Sequence, residues 1–330
     1  MRVAPSPRLA KSSNLMKAHF WISFNCIFVF SLALAACSSS DTNPVTPSPS
    51  VTPTPLPSVT PSPLPTNTPS PLPPTLTPSP TIPSTPTPLA CWTQPGRWER
   101  GSLSSDLLPL PLEYTVYLPP CYDQQTERRY PVLYMLHGQN SNNDQWDRLG
   151  IDEAANALIA SEQVPPFIIV LPRDRSWEQP AVDKFGQVLA DKLVPYIDAH
   201  YRTLPERAYR AIGGLSRGAG WAIHLGLSRW KLFGAIGAHS LPIFWEDTAH
   251  IRQWLKTIPS EEMPRIYLDI GDKDRSNIMD SVIWFEKLLT KEGIPHEWHL
   301  FPGYHAEAYW QAHVEQYLLW YTQDWGDKAH

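Results

Sequence analysis

Ala208-Tyr209-Arg210-Ala211-Ile212 followed by Gly213-Gly214-Leu215-Ser216-Arg217-Gly218 is the stretch on which the fold turns. The first five residues read as a strand, and a helical pattern starts at Ala219. Between them, Gly214-x-Ser216-x-Gly218 has the spacing of a nucleophile elbow, a tight strand-to-helix turn that lifts one serine out of a sheet. The glycines let helix and strand approach closely around a strained serine. The helix N-terminus beneath it favours negative charge. Alone, the pattern occurs by chance, or as a glycine-rich turn with a solvated serine. Between a strand and a helix it is specific.

Outward from the elbow, strands and helices alternate. Tyr130–Leu136, Phe167–Leu171, Phe233–Ala238 and Ile266–Ile270 are continuous apolar runs, as suits strands buried on both faces. Residues 112–118 and Glu297–Phe301 also read as strands. Helical patterns cover Ile151–Ser161, Phe185–His200, Ala219–Ser228, Ile278–Glu292 and Glu307–Trp325. This order predicts an α/β fold, a mostly parallel sheet with helices on both faces and an antiparallel first edge. No internal repeat, dinucleotide glycine fingerprint or phosphate loop is visible.

A serine at an elbow needs a base, an acid and an oxyanion hole, with the acid and histidine following it in the chain. The strand Ile266–Ile270 runs into Gly271-Asp272-Lys273-Asp274, and Glu297–Phe301 runs into Pro302-Gly303-Tyr304-His305. His305 thus falls on a loop at the carboxyl end of a strand, where such sheets bind ligands. His239, His299 and His313 compete, but each falls in or beside a regular element. Three aspartates crowd the acid segment. Asp269 lies within its strand and needs a partner if buried. Asp272 suits a turn, and Asp274 reaches further out. Ser276 is free to cap the helix that follows, so neither loop aspartate is needed for capping. One oxyanion donor is the N–H of Arg217, and the other comes from the loop His137-Gly138-Gln139-Asn140, where Gln139 N–H is the choice. Trp146, Trp177 and Trp245 fall in expected loops and are candidates for stacking on a sugar or aryl acid, although tryptophan more often packs in a core.

Composition divides the chain into three. Arg2, Arg8, Lys11 and Lys17 precede an apolar run, Phe20–Ala36, that ends Leu34-Ala35-Ala36-Cys37. These are the parts of a secretory signal over residues 1–36, and the same residues also fit a plain membrane-anchor helix. The segment resembles a bacterial lipoprotein signal, which implies cleavage before Cys37, lipidation of its sulfur and tethering to the outer face of a membrane. Residues 37–90 follow with Thr-Pro and Ser-Pro units: 18 of the 37 prolines, no aromatic residue and one charge, Asp41, lie in 38–90. Such a stretch cannot offset its ordering entropy. Fully extended it would reach roughly 160 Å, as a stalk or a plain disordered spacer. Residues 91–330 hold every tryptophan except Trp21 and form the globular domain. Their 23 basic and 31 acidic residues supply no basic face for a nucleic acid. Cys91 and Cys121 remain after export. In that setting a disulfide is commoner than a metal site, and no histidine lies near either to complete one.

Leu118-Pro119-Pro120-Cys121-Tyr122, Tyr134-Met135-Leu136-His137-Gly138, Gly214-Leu215-Ser216-Arg217-Gly218, Gly271-Asp272-Lys273-Asp274 and Pro302-Gly303-Tyr304-His305 together resemble the esterase D and feruloyl esterase-like family of α/β-hydrolases, over nearly all of residues 95–325. The resemblance implies that fold and a triad of Ser216, Asp274 and His305. It implies hydrolysis of a carboxylic ester through an acyl-enzyme, without metal or cofactor, on esters that include those of carbohydrate. The same triad also serves acyl transfer to a sugar, and a catalytically silent cell-surface binding module is the reading from another class. Two departures stand out. Arg217 follows the serine where many members carry an apolar residue, and the loop after His137-Gly138 lacks a further glycine. Both bear on substrate preference.

Overall fold

Five of the expected strands, four of them read from apolar runs and one from the elbow, form the centre of one eight-stranded sheet in a computed structural model that describes residues 90–326. The expected signal, Cys37 and the proline-rich segment lie outside the described residues. In chain order the strands are β1 (Arg97–Leu103), β2 (Leu112–Leu118), β3 (Val132–Leu136), β4 (Ile168–Pro172), β5 (Arg210–Leu215), β6 (Ala235–His239), β7 (Arg265–Gly271) and β8 (Glu297–Phe301). Their order in the sheet is β1-β2-β4-β3-β5-β6-β7-β8. β1 pairs with β2 and β2 with β4 antiparallel, and every other pair is parallel. The antiparallel first edge is as expected. β1 itself is not foreseen: it is partly exposed and reads Arg-Trp-Glu-Arg-Gly-Ser-Leu, too polar for an apolar-run signal.

The helices are α1 (Gln145–Arg148), α2 (Ile151–Ala160), α3 (Phe185–Val188), α4 (Val194–His200), α5 (Arg217–Ser228), α6 (Ile251–Thr257), α7 (Ser276–Glu292), α8 (Glu307–Gln311) and α9 (Val314–Thr322). A π-helical turn, Leu189–Leu193, joins α3 to α4 just ahead of Pro195, which has no N–H to return to the preceding turn. The expected last helix, Glu307–Trp325, is broken. The His313 ring bonds the Tyr309 carbonyl at 2.7 Å, and the His313 N–H turns to Trp310 O instead, so α8 ends and α9 starts afresh. Ser276 does not cap α7. It is the first helical residue, and Arg275 before it makes no side-chain capping bond.

Alternate residues of the central strands feed two cores. Val132, Tyr134, Leu136, Ile212, Ile236 and Leu268 pack with α4, α5, α6 and α7 on one face. Leu133, Met135, Ala211, Leu215 and Tyr267 pack with α2, α8 and α9 on the other. Burial on both faces is why these strands read as unbroken apolar runs. Before β1, Cys91 is joined to Cys121 by a disulfide that spans 30 positions and ties the start of the described chain to the turn after β2. By chain entropy such a closure contributes roughly 3–4 kcal/mol. The parallel registers set Leu136 beside Gly214, Leu215 beside His239, His239 beside Asp269, and Gly271 beside Phe301. The loops after β3, β5, β7 and β8 therefore all open at the carboxyl ends of the parallel strands.

Candidate active site

Ser216 stands between β5 and α5 with φ 51° and ψ −125°, a strained conformation for a residue with a side chain. Its N–H donates to His239 O at 2.9 Å, which fixes the turn to β6. Both elbow glycines are required by closeness. A Cβ on Gly214 would lie 2.5 Å from the Gly218 carbonyl, and one on Gly218 would lie 2.3 Å from Leu136 O. α5 begins at Arg217, two residues earlier than the sequence pattern suggests, so the serine sits directly on the helix N-terminus.

The three side chains expected to act together lie in line. His305 Nε2 is 2.9 Å from Ser216 Oγ. His305 Nδ1 lies 2.9 Å from Asp274 Oδ1 and 3.1 Å from Oδ2. Asp274 has no exposed side-chain surface, and His305 has 9%. Burial pushes the Asp274 carboxyl up, but hydrogen bonds from His305 and Ser240, the His305 charge and the Arg275 N–H outweigh it and hold the group below its ordinary value. Asp272 does other work: its Oδ1 accepts the Gly303 N–H at 2.9 Å. With Asp272 N–H to Phe301 O (2.7 Å) and Lys273 N–H to Gly303 O (2.8 Å), it laces the loop after β7 to the loop after β8.

The competing groups are engaged elsewhere. His239 is fully buried; its Nδ1 meets Asp269 Oδ1 at 2.5 Å and its Nε2 meets Tyr321 OH at 3.0 Å. Asp269 finds the partners that its burial demands: His239 and the hydroxyls of Tyr309 and Tyr317, at 2.6 and 2.8 Å. His299 is in β8, and His313 sits at the break between α8 and α9.

The loop after β3 supplies the facing wall. The Gly138 N–H is taken by Gln145 Oε1 at 2.8 Å. The backbone N–H groups of Gln139 and Arg217 bond no protein group among the described residues. His137 does more than turn the chain. It is buried, its Nε2 accepts the Asp174 N–H at 3.0 Å, and its Nδ1–H donates to Gly138 O at 2.7 Å. Burial pushes its pKa down, consistent with a neutral ring in this tautomer.

The Arg217 side chain, a departure at sequence level, turns away into the protein. Its Nε donates to Asp174 Oδ2 (2.6 Å), and one terminal nitrogen donates to Asp183 Oδ2 (2.9 Å) and Glu178 O (2.8 Å). Trp221 Nε1 also donates to Asp174 Oδ2. The guanidinium thus ties the elbow to the segment 173–185. Nothing in the local sequence pairs Arg217 with Asp174 or Asp183, which lie 43 and 34 positions away.

A cavity of about 350 Å³ opens between Gln139–Ser141, Arg173–Trp177 and Arg217. A second, about 480 Å³ and lined by Leu107–Leu112 and Val182–Phe185, shares the segment Arg173–Ser176 with it. Trp177 and Trp245 are 66% and 70% exposed on their loops, and Tyr304, beside His305, is 62% exposed. The Ala181 N–H donates to Glu246 Oε2, which joins the two tryptophan loops. Trp146 is not part of this rim. It is buried in α1 and donates to Leu136 O, because the expected loop there folds back as a helical turn.

A family model described as "Putative esterase" matches residues 105–321. The chain is 33% identical over 200 residues to an endo-1,4-beta-xylanase/feruloyl esterase of Xylanibacter ruminicola, covering 55% of this chain and 26% of that one. It is 28% identical to Esterase Rv1288 of Mycobacterium tuberculosis, covering 58% and 52%. The chain therefore spans about a quarter and about half of the length of these two curated relatives. Among solved structures, a ferulic acid esterase superposes with a TM-score of 0.62 at 27% identity, over 70% of this chain and 99% of that one. The feruloyl esterase module from Clostridium thermocellum complexed with sinapinate superposes with a TM-score of 0.61 at 17% identity, over 73% and 95%, which speaks to the fold alone. The sheet order, the elbow and the match over 105–321 agree: this chain belongs to the esterase family of α/β-hydrolases.

Proposed function

We propose that this protein is a serine carboxyl-ester hydrolase. The observation that carries the proposal is the continuous line Ser216 Oγ–His305–Asp274, with each gap at hydrogen-bond distance. His305 Nε2 takes the Ser216 proton as Oγ attacks the ester carbonyl carbon. Asp274 holds Nδ1–H toward itself and stabilises the imidazolium that forms. The oxyanion is met by the N–H groups of Arg217 and Gln139, at the positive end of α5. Collapse of the tetrahedral intermediate releases the alcohol, which takes its proton from His305, and leaves the acyl group on Ser216. Water, deprotonated by His305, then attacks the acyl-enzyme and frees the acid. None of these steps requires a metal or cofactor.

The substrate we propose is an ester linked to carbohydrate, with an aryl acid such as the ferulate named for several relatives. The exposed Trp177 and Trp245 and the cavity beside Gln139 support it, since flat apolar faces suit sugars and aryl rings. A fluorophosphonate probe and hydrolysis of p-nitrophenyl, feruloyl and acetyl-xylan esters test the proposal. The wild type should label and turn over. Ser216→Ala should do neither while keeping its melting temperature. Labelling that survives Ser216→Ala would place the nucleophile elsewhere.

We further propose export, with lipid on Cys37 and residues 38–90 as the tether. The support is the Leu34-Ala35-Ala36-Cys37 motif behind a basic, apolar segment. Cys37→Ser should abolish detergent-phase partition of the processed protein. Partition unchanged by that substitution would favour an uncleaved anchor.

A further inference from the structure

One buried side chain joins the two loops that must agree in position for the proposed reaction. Gln145 is 6% exposed at the start of α1. Its Oε1 accepts the Gly138 N–H at 2.8 Å, one residue before the Gln139 N–H assigned to the oxyanion. Its Nε2 donates to Glu307 Oε1 at 2.9 Å, two residues after His305. Glu307 opens α8, and from that helix Trp310 meets the His305 ring edge-on at 5.0 Å. The anchor is itself held. Trp146 Nε1 bonds Leu136 O at 3.0 Å, and a terminal nitrogen of Arg148 bonds Glu307 Oε1 at 2.9 Å. A Cβ built on Gly138 would be 3.5 Å from both Gln145 Oε1 and Ser216 Cβ, so the amide lies within two contacts of the serine.

The chemistry of the link demands an amide. A peptide N–H needs an acceptor and a carboxylate needs a donor, and a primary amide offers both at one end. A carboxylate in its place would face Glu307 with like charge. An ammonium would leave the Gly138 N–H without an acceptor. We propose that Gln145 is a positioning residue: it keeps the oxyanion donor of the β3 loop and the histidine of the β8 loop in register. This rests on the esterase reading. Gln145 touches no reacting atom; it sets where the oxyanion forms relative to the base. Its loss therefore acts on the transition state, and misplacement of about 1 Å is enough to cost up to roughly 10²-fold in rate.

The test is steady-state kinetics on p-nitrophenyl acetate for wild type, Q145L, Q145E, E307Q and Q145E/E307Q, with melting temperatures for each. A wild type that neither turns over nor labels with fluorophosphonate defeats the esterase reading itself. With an active wild type, Q145L should lose roughly 10–100-fold in kcat with KM within about threefold. Q145E should lose at least as much, because two carboxylates then face each other. Q145E/E307Q exchanges the pair, placing the carboxylate under the Gly138 N–H and the amide at α8, and should recover kcat to within roughly threefold of E307Q. Wild-type kcat in Q145L overturns the proposal. So does a loss confined to KM, or a double variant no better than Q145E at equal melting temperature. If Q145L fails to fold, the comparison of Q145E with the double variant decides.

Discussion

Arg217 Nε donates to Asp174 Oδ2 across 2.6 Å, with both side chains at least nine-tenths buried. The residue that follows the elbow serine therefore offers its backbone N–H toward the site and its side chain to the protein interior. Asp183 closes the cluster from the other side at 2.9 Å. One guanidinium faces two carboxylates, and burial together with the Asp174 charge pushes the Asp183 carboxyl up. Where many relatives are expected to carry an apolar residue, this chain stores the attachment of its 173–185 segment.

Arg217→Met should accordingly be costly. It leaves two buried carboxylates without their cation, and breaking a buried pair in this way costs about 3–5 kcal/mol. Adding Asp174→Asn and Asp183→Asn to the same chain should recover part of that loss. Urea unfolding midpoints measure both effects. A single variant within about 1 kcal/mol of wild type would show that the cluster carries little of the stability.

The proposed triad acid is separable from its neighbour. Asp274→Asn should lower kcat by up to about four orders of magnitude, since the amide favours the wrong imidazole tautomer. Asp272→Asn keeps an oxygen for the Gly303 N–H and should stay within several-fold of wild type. The reverse pattern on the best substrate would reassign the acid. The stability effect has a definite sign. The folded Asp274 value is depressed below the ordinary 3.8, so its stabilisation is present above that pH and fades as pH falls through the folded value. The gap in melting temperature between wild type and Asp274→Asn should narrow on that acid side, and a gap constant with pH would contradict the cause given.

Asp152, in the first turn of α2, carries strain of the opposite kind. Its Oδ1 is buried without a partner, and burial with neighbouring Glu153 pushes its pKa up to about 7. A raised carboxyl favours the folded state while protonated, and that benefit is lost as pH rises from the ordinary value of 3.8 toward 7. Asp152→Asn should thus gain on wild type as pH increases, with little difference near pH 4 and the largest near pH 8. Thermal melts at both ends check it, and a pH-independent difference would count against burial as the cause.

The strands β3 to β7 and the elbow were legible along the chain, because burial on both faces and a strand–glycine–helix turn are local patterns that short-range sequence records. Ser216 and His305 followed from position after their strands, and the Cys91–Cys121 link from cysteine arithmetic. β1 and α6 were not legible, since a polar edge strand and a short surface helix carry weak periodicity. Choosing Asp274 over Asp272 rested on turn chemistry, on reach and on the spacing that the family resemblance implies; the contact to His305 is between residues 31 positions apart and exists only when β7 and β8 lie side by side. The same holds for the couplings Arg217–Asp174 and Gln145–Glu307, 43 and 162 positions apart. What the chain determined by itself is which residues can end a strand, turn and start a helix, because those choices are made within a few bonds. What only the tertiary structure decided is which polar groups meet. A buried donor or acceptor must find a partner wherever packing puts one, and sequence separation carries no record of that choice.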